Sequence, residues 1–394
     1  MTEQTNVAIA GGGIGGLTTA LALANAGIAS NVYERRPAFP EEGAGIQIGP
    51  NGTRILEQLG VAPILQPAVA TPDVLSVRDG KSAKELTRLP LGDWIAARHG
   101  APYWTAHRRD VHAALRSRAE AEPLISLHTG VEIDSVSRHR DGIIAHGANG
   151  EQATASLLVA ADGLWSTLRQ TFVPNATPLP VGKSAFRSVI PATALPPELT
   201  TNAVHIWLAS GAHAVHYPVN AGRDIAIVLI AKDSNLDAGW DFAASRDIVQ
   251  QKITTFAVPL QTLVASAAEW RRWPLYTMRP LPRFTAERTV FVGDAAHPIL
   301  PFLAQGAVLA MEDAATLAAC LAAAGDRIED GLKSYDLNRS QRIARVASAS
   351  QRNGRIYQMS GATAVVRNAV MAHTPPHRVM AGFDWLYGWR CPPC

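Results

Sequence analysis

The run Gly11-Gly12-Gly13-Ile14-Gly15-Gly16 carries Gly-x-Gly-x-x-Gly between a strand-like apolar stretch and a helical one. In that setting Gly11 permits a tight turn, Gly13 lets a pyrophosphate approach the backbone, and Gly16 lets the helix pack close on the strand. The helix start that Gly15 and Gly16 belong to favours phosphate charge. Glu34 closes the next apolar run, where a carboxylate can accept both hydroxyls of a ribose and would repel a 2′-phosphate. Two further polar turns follow buried strands: Ala161-Asp162-Gly163-Leu164-Trp165-Ser166-Thr167-Leu168-Arg169 and Gly293-Asp294-Ala295-Ala296-His297-Pro298. The second puts an aspartate at the carboxyl edge of a parallel sheet, where ligands of open α/β folds bind. Just beyond, Ala304-Gln305-Gly306-Ala307 opens an Ala-rich helix whose unpaired N–H groups suit a developing anion.

A different chemistry is offered by Ala212-His213-Ala214-Val215-His216-Tyr217. Strand alternation sets His213, Val215 and Tyr217 on one face and His216 on the other. An imidazole of ordinary pKa, about 6.5, suits a general base. The plainer reading is a satisfied surface histidine beside a core tyrosine. His297 reads as a structural residue at a helix start, and Arg339, Arg342 and Arg345 as a solvated helix face.

These groups need elements to hold them. Val7-Ala8-Ile9-Ala10, a helix over 17–26 and Asn31-Val32-Tyr33-Glu34 form a βαβ unit. Helical spacing recurs over 111–120, 248–256, 308–324 and 332–357, and buried strands at 157–160 and 289–292. Between them, from about 180 to 275, the pattern alternates as β-strands do. The strand–helix alternation is thus interrupted by a β-rich insertion and then resumes, which implies two joined domains. The length of 394 residues, with 47% apolar and 18% charged, is enough for such a core and argues against extensive disorder. A net charge of +3 without a dense basic block speaks against nucleic-acid or membrane partners. The uncharged stretch 6–31 is broken by glycines and lacks a basic lead, unlike a signal or membrane helix, so a cytoplasmic location is expected. Three cysteines are too few for a disulfide framework, and Cys391-Pro-Pro-Cys394 lacks the following helix of a redox motif.

Taken together, the three motifs resemble the class A FAD-dependent aromatic hydroxylases, the para-hydroxybenzoate hydroxylase superfamily. Further matches are Gly43-Ala44-Gly45-Ile46-Gln47, Pro50-Asn51, His107-Arg108-Arg109-Asp110-Val111, Tyr217-Pro218 and Trp273-Pro274-Leu275-Tyr276. Within the superfamily the branch looks like salicylate hydroxylase, 3-hydroxybenzoate 6-hydroxylase and 6-hydroxynicotinate 3-monooxygenase. The fold expected is α/β (α+β overall): a Rossmann-like FAD-binding domain (1–75, 100–175 and 272–365), an inserted β-rich substrate domain (76–99 and 176–271), and C-terminal helices with a tail at 366–394. The resemblance implies that Glu34 and Arg35 hold the adenosine end of FAD, that Arg108 reaches the flavin chain or pyrophosphate, and that the Val131 backbone borders the adenine. Asp162 would shape the pyrophosphate region and Asp294 bind the ribityl hydroxyls. Pro301 would lie against the isoalloxazine, with Gly306 and Ala307 donating to its C2 carbonyl. The loop with Gly45 and Gln47 would line the flavin, Gln47 also facing substrate. His213 and Tyr217 would be the catalytic pair, and no metal is called for. The chain departs from the family pattern after Trp385-Leu386-Tyr387-Gly388, where Trp389-Arg390 stands instead of an acidic residue.

The implied activity is hydroxylation of a small phenolic or hydroxy-heteroaromatic, carboxylated ring, with NADH or NADPH as transient co-substrate and O2 adding at flavin C4a as a hydroperoxide. A single dinucleotide motif implies no separate nicotinamide domain, and a monomer or homodimer is expected. A flavin reductase or dehydrogenase and a non-catalytic FAD-binding sensor are the rivals. A flavin halogenase fits poorly, because Trp270-Arg271-Arg272-Trp273-Pro274 has the wrong tryptophan spacing.

Overall fold

The structure, a computed structural model, describes residues 6–39, 44–140, 142–234, 239 and 241–393; Gly43 and Cys394, named above, lie outside them. Asn6–Ala10 is the heart of a six-stranded sheet. It pairs in parallel with Leu157–Ala160 on one side and Ala29–Glu34 on the other. Thr289–Phe291 and Ile125–Thr129 extend the sheet in parallel, and only Thr285–Ala286 runs against it. Strands covered on both faces read as unbroken apolar runs, which is why 7–10 and 157–160 are almost wholly buried. The helix Ile14–Asn25 packs on Gly306–Ala324, which in turn packs on Ile328–Tyr357. Among the described residues Gly306–Ala324 alone is long and apolar enough to cross a membrane; here it is mostly buried against the neighbouring helices.

The second body is an eight-stranded sheet in the order Phe242–Ala244, Trp270–Thr277, Leu179–Pro191, Asp224–Lys232, Ala212–Val219, Ala203–Ala209, Val74–Asp79 and Glu85–Pro90. It is antiparallel apart from the pairing of Ala203–Ala209 with Val74–Asp79. The sheet therefore continues to Thr277, beyond the boundary expected at 271, because Trp270–Thr277 pairs with Leu179–Pro191. The helix expected at 248–256 spans Arg246–Lys252, and a second, Val258–Ala265, follows it. Pro259 near the start of the second suits a new helix rather than a continuation.

The C-terminal end is helical, with Gly361–His373, Pro376–Ala381 and Asp384–Tyr387, and Leu386 is fully buried. The arginine stripe, expected as a solvated face, is not one. Arg339 is buried and donates to Asp313 (2.7 Å) and Glu312 (3.1 Å), while Arg342 grips Glu312 (2.7 and 3.0 Å) and the carbonyls of Trp385 and Leu386. Only Arg345 stays outside the ion pairs, with its guanidinium over the Trp385 ring. Burial works against the Arg339 charge, yet Asp313 and Glu312 hold its pKa above the usual arginine value. Removing one partner from such a group leaves a buried charge uncompensated. Arg339→Met should therefore destabilise the protein by about 3 kcal/mol or more, read as a lowered unfolding midpoint in urea. An unchanged midpoint would show that Arg342 and His297 suffice for the two carboxylates.

Candidate functional site

The glycine-rich run sits where the sequence puts it, at the end of Asn6–Ala10 and the start of Ile14–Asn25. Gly11 has φ +109°, and an added Cβ there would overlap the carbonyl of Ala161, so the first polar turn lies directly against the second. A Cβ on Gly16 would overlap the Gly11 carbonyl. Beside Gly13 nothing approaches within 4 Å, so a ligand can reach the backbone there. The first amides of the helix have no acceptor upstream, as at any helix start.

Glu34 is buried, and its two oxygens accept from the amides of Gly12 (3.0 Å) and Arg36 (3.1 Å). The carboxylate thereby braces the loop, while each oxygen keeps a lone pair for a hydroxyl. Arg35 points elsewhere: it is exposed and 3.7 Å from Glu132, so the structure does not bring it to Glu34's side. Val131 is close by, its amide donating to the Glu34 carbonyl (3.0 Å). One bracing residue had gone unnoticed. His112 Nε2 lies 2.7 Å from the Gly12 carbonyl and, with no other role for that atom, donates to it. The signal was its place four residues after Arg108 on one helix, which aligns the two on a single face.

Arg169 ties the two aspartate turns together. It is fully buried and donates to the carbonyls of Leu164 (2.7 Å), Ala176 (3.0 Å) and Ala295 (2.9 Å). Ser166 caps the short helix Thr167–Phe172 by accepting from the Arg169 amide (2.9 Å). The carboxylates themselves stay open. Neither oxygen of Asp162 has a hydrogen-bond partner among the described residues, and burial pushes its pKa up against the opposing effect of Ser166. No described donor reaches the Asp294 carboxylate; burial raises its pKa too, opposed by the charge of Arg108. His297 Nε2 donates to the Asp313 carboxylate (2.6 Å), which ties the turn to the Gly306–Ala324 helix.

Across the cleft, Pro301–Leu303 forms a turn of 3-10 helix, and Ala304 with φ +52° swings the chain into Gly306–Ala324. The amides of Gly306 and Ala307 at that helix start meet no acceptor among the described residues. Their loop is pinned by Asn51, whose Nδ2 donates to Gln305 (2.9 Å) and Glu312 (2.8 Å).

The insertion supplies the remaining wall. His213 and Tyr217 lie on the same face of Ala212–Val219, and His216 lies on the other, stacked on His205 and accepting from Trp207 Nε1 (3.1 Å). His213 packs against Phe302 and Tyr357. Tyr103 donates to Gln47 (2.7 Å), and the same amide lies within hydrogen-bonding reach of Tyr217. Gly45 stands against the inserted sheet: an added Cβ would strike Ala226 and come within 2.9 Å of the Tyr217 hydroxyl, so this glycine lets the 45–48 strand close on that sheet. The ordinary imidazole pKa expected for His213 does not hold. Complete burial, with a smaller effect from Lys183, pushes it down to about 3, so the ring is neutral. Gln358 fixes its tautomer: Lys183 donates to Gln358 Oε1, leaving Gln358 Nε2 to donate to His213 Nδ1 (3.3 Å). The proton of His213 then sits on Nε2.

An FAD molecule fits these residues. The open backbone at Gly13, the unpaired carboxylates of Asp162 and Asp294 and the free amides of Gly306 and Ala307 are what its pyrophosphate, ribityl chain and ring carbonyl require. Solved structures share the fold. A salicylate hydroxylase substrate complex superposes with TM-score 0.83, covering 99% of this chain and 97% of that one at 24% identity. HpxO of Klebsiella pneumoniae, complexed with FAD and uric acid, gives 0.85 over 97% and 96% at 23% identity. By sequence, the chain is 35% identical over 386 residues to 3-hydroxybenzoate 6-hydroxylase 1 of Aquipseudomonas alcaligenes, covering 98% of both. It is 32% identical over 358 residues to 6-hydroxynicotinate 3-monooxygenase of Bordetella bronchiseptica, covering 90% of this chain and 92% of that one. The model of the FAD binding domain family matches residues 4–350, and with these relatives it shows that the chain belongs to that family.

Proposed function

We propose that this protein is an FAD-dependent aromatic-ring monooxygenase that consumes NADH or NADPH and hydroxylates a small, carboxylated phenol or hydroxy-heteroaromatic. The observation that carries this reading is the pairing of two walls. One is the phosphate- and flavin-ready wall of Gly11–Gly16, Asp294 and Gly306–Ala307; the other is a sheet face presenting His213 and Tyr217 beside Gln47. Hydroxybenzoate and hydroxynicotinate hydroxylases among the relatives support it.

Bound FAD supplies the redox chemistry with nicotinamide and oxygen. The chain's own residues hold and prepare the ring. Amides at 13–16 would hold the pyrophosphate, Asp162 would border it, and Glu34 with the Val131 backbone would receive the adenosine. Asp294 would accept from the ribityl hydroxyls, Arg108 would reach the flavin chain or the pyrophosphate, and Pro301 would pack on the isoalloxazine. The amides of Gly306 and Ala307 would stabilise negative charge at its C2 carbonyl. At the substrate, a phenolate is a far better carbon nucleophile than a phenol. His213 Nε2–H and the Tyr217 hydroxyl, whose pKa burial raises to about 12, are both donors at neutral pH and lower the cost of that phenolate. The protein works in the cytoplasm as a monomer or homodimer. NAD(P)H oxidation stimulated by hydroxybenzoates or hydroxynicotinates under 18O2 tests the reading: one labelled oxygen should enter the product. Stimulated oxidation that yields only peroxide would favour a reductase or dehydrogenase instead.

A further inference from the structure

We propose that Arg187 receives the substrate's carboxylate, so that the site selects monocyclic aromatic acids bearing a ring hydroxyl; this rests on the function proposed above. Arg187 lies on Leu179–Pro191 and is paired in register with Val228 of the next strand, which is paired in turn with Val215. Residues opposite one another in adjacent strands share a sheet face. Arg187, Val228 and Val215 therefore form one row across the sheet, and His213 and Tyr217 flank Val215 on the same face. Two strand spacings, about 9–10 Å, separate the Arg187 backbone from the His213–Tyr217 pair. A single aromatic ring laid along the row covers Val228 and Val215. Its hydroxyl then sits at the histidine and tyrosine, and an acidic substituent reaches back to the guanidinium.

The side chain is set up to bind an anion. Its Nε is buried without a hydrogen-bond partner among the described residues, and Asp241, whose charge reaches it, is engaged by Arg271 (2.8 Å) instead. The guanidinium lies over the Trp273 ring, 4.2 Å from the centroid, and Asp241 accepts from that indole's Nε1 (2.7 Å), which fixes the platform. Neighbouring cations are committed elsewhere: Arg108 faces the charge of Asp294, and Lys183 donates to Gln358. Burial lowers the Arg187 pKa to about 10, so the group remains charged at neutral pH and gains from a partner. A planar carboxylate matches its fork in two parallel bonds.

Calorimetric titration of the FAD-loaded protein with 2-, 3- and 4-hydroxybenzoate and the three matching hydroxybenzamides tests the assignment. The wild type should bind at least one acid more tightly than its amide. Arg187→Gln should weaken that acid by about 10- to 100-fold, the size of a lost charge-assisted contact, and leave the amide within a few fold. FAD content, read from the visible spectrum, should not change. Should Arg187→Gln not accumulate in FAD-loaded form, Arg187→Lys keeps the charge but not the fork, and should still weaken the acid more than the amide. Equal losses for acid and amide, unchanged acid binding, or a wild type that binds no acid would each overturn the proposal. Because titration reads binding and not turnover, a protein that holds acids through Arg187 but inserts no oxygen would refute the proposed function and leave this assignment standing.

Discussion

Asp294→Ala is expected to purify nearly colourless, with its FAD affinity reduced about 100-fold or more. The carboxylate closes the Thr289–Phe291 strand at the carboxyl edge of the parallel sheet, and no donor among the described residues reaches it. Two ribityl hydroxyls would give it charge-assisted hydrogen bonds, each worth about 1.5–3 kcal/mol. Losing both accounts for two orders of magnitude or more, since each 1.4 kcal/mol is tenfold. The same residue separates a ligand role from a structural one through stability. Burial raises the Asp294 pKa above its unfolded value, so between those two values the unfolded chain is the more ionised. Stability is then lost as pH rises through that window, and at neutral pH the carboxylate is a liability to the apoprotein. Apo Asp294→Ala should melt at or above the apo wild type, whereas FAD should raise the melting temperature of the wild type alone. Full FAD occupancy with unchanged affinity in the variant would count decisively against the cofactor assignment.

The part of this site that runs through neighbouring residues was legible in the sequence. Gly11, Gly13 and Gly16 act through a local turn, and period-two alternation placed His213 and Tyr217 on one face and His216 on the other. What stayed hidden depends on residues distant in the chain. Arg339 and Arg342 looked solvated because their partners, Glu312 and Asp313, stand on a different helix. Two adjacent acids inside an Ala-rich, otherwise apolar helix were the available clue, since such carboxylates are rarely buried without cations. Strand Trp270–Thr277 was split between domains because Pro274 and two arginines disguise its alternation, although the sheet tolerates them near its edge. Arg187 gave no motif at all. Its place is set by register across three strands, which sequence spacing does not encode.

The chemical state of His213 was likewise beyond the sequence, because Gln358, which fixes the tautomer, lies on the far side of the domain in sequence. That state decides the last expected result. His213→Ala should retain FAD and its reduction by NAD(P)H, while hydroxylation falls by about 10²–10³-fold, the range for losing a preorganised donor to an oxyanion. More of the reducing equivalents should end as hydrogen peroxide. A general base would give a similar loss, so the deciding variant is His213→Gln, whose amide N–H can stand near the position of Nε2–H. If the imidazole acts as a donor, His213→Gln should recover at least tenfold over His213→Ala; if it acts as a base, glutamine should be no better than alanine. The pH profile divides the two roles again. With a pKa near 3, His213 should contribute no fall in activity as pH drops from 7 to 5, whereas a base of ordinary pKa would titrate there. Tyr217→Phe should cost less, mainly in substrate affinity, because the ring stays packed and one hydrogen bond is lost. His216→Ala is the control on the opposite face. It should lower stability by stranding the buried Trp207 Nε1–H, and leave turnover of the folded protein near normal. A crippled His216→Ala beside a near-normal His213→Ala would put the reacting ring on the other face of the sheet.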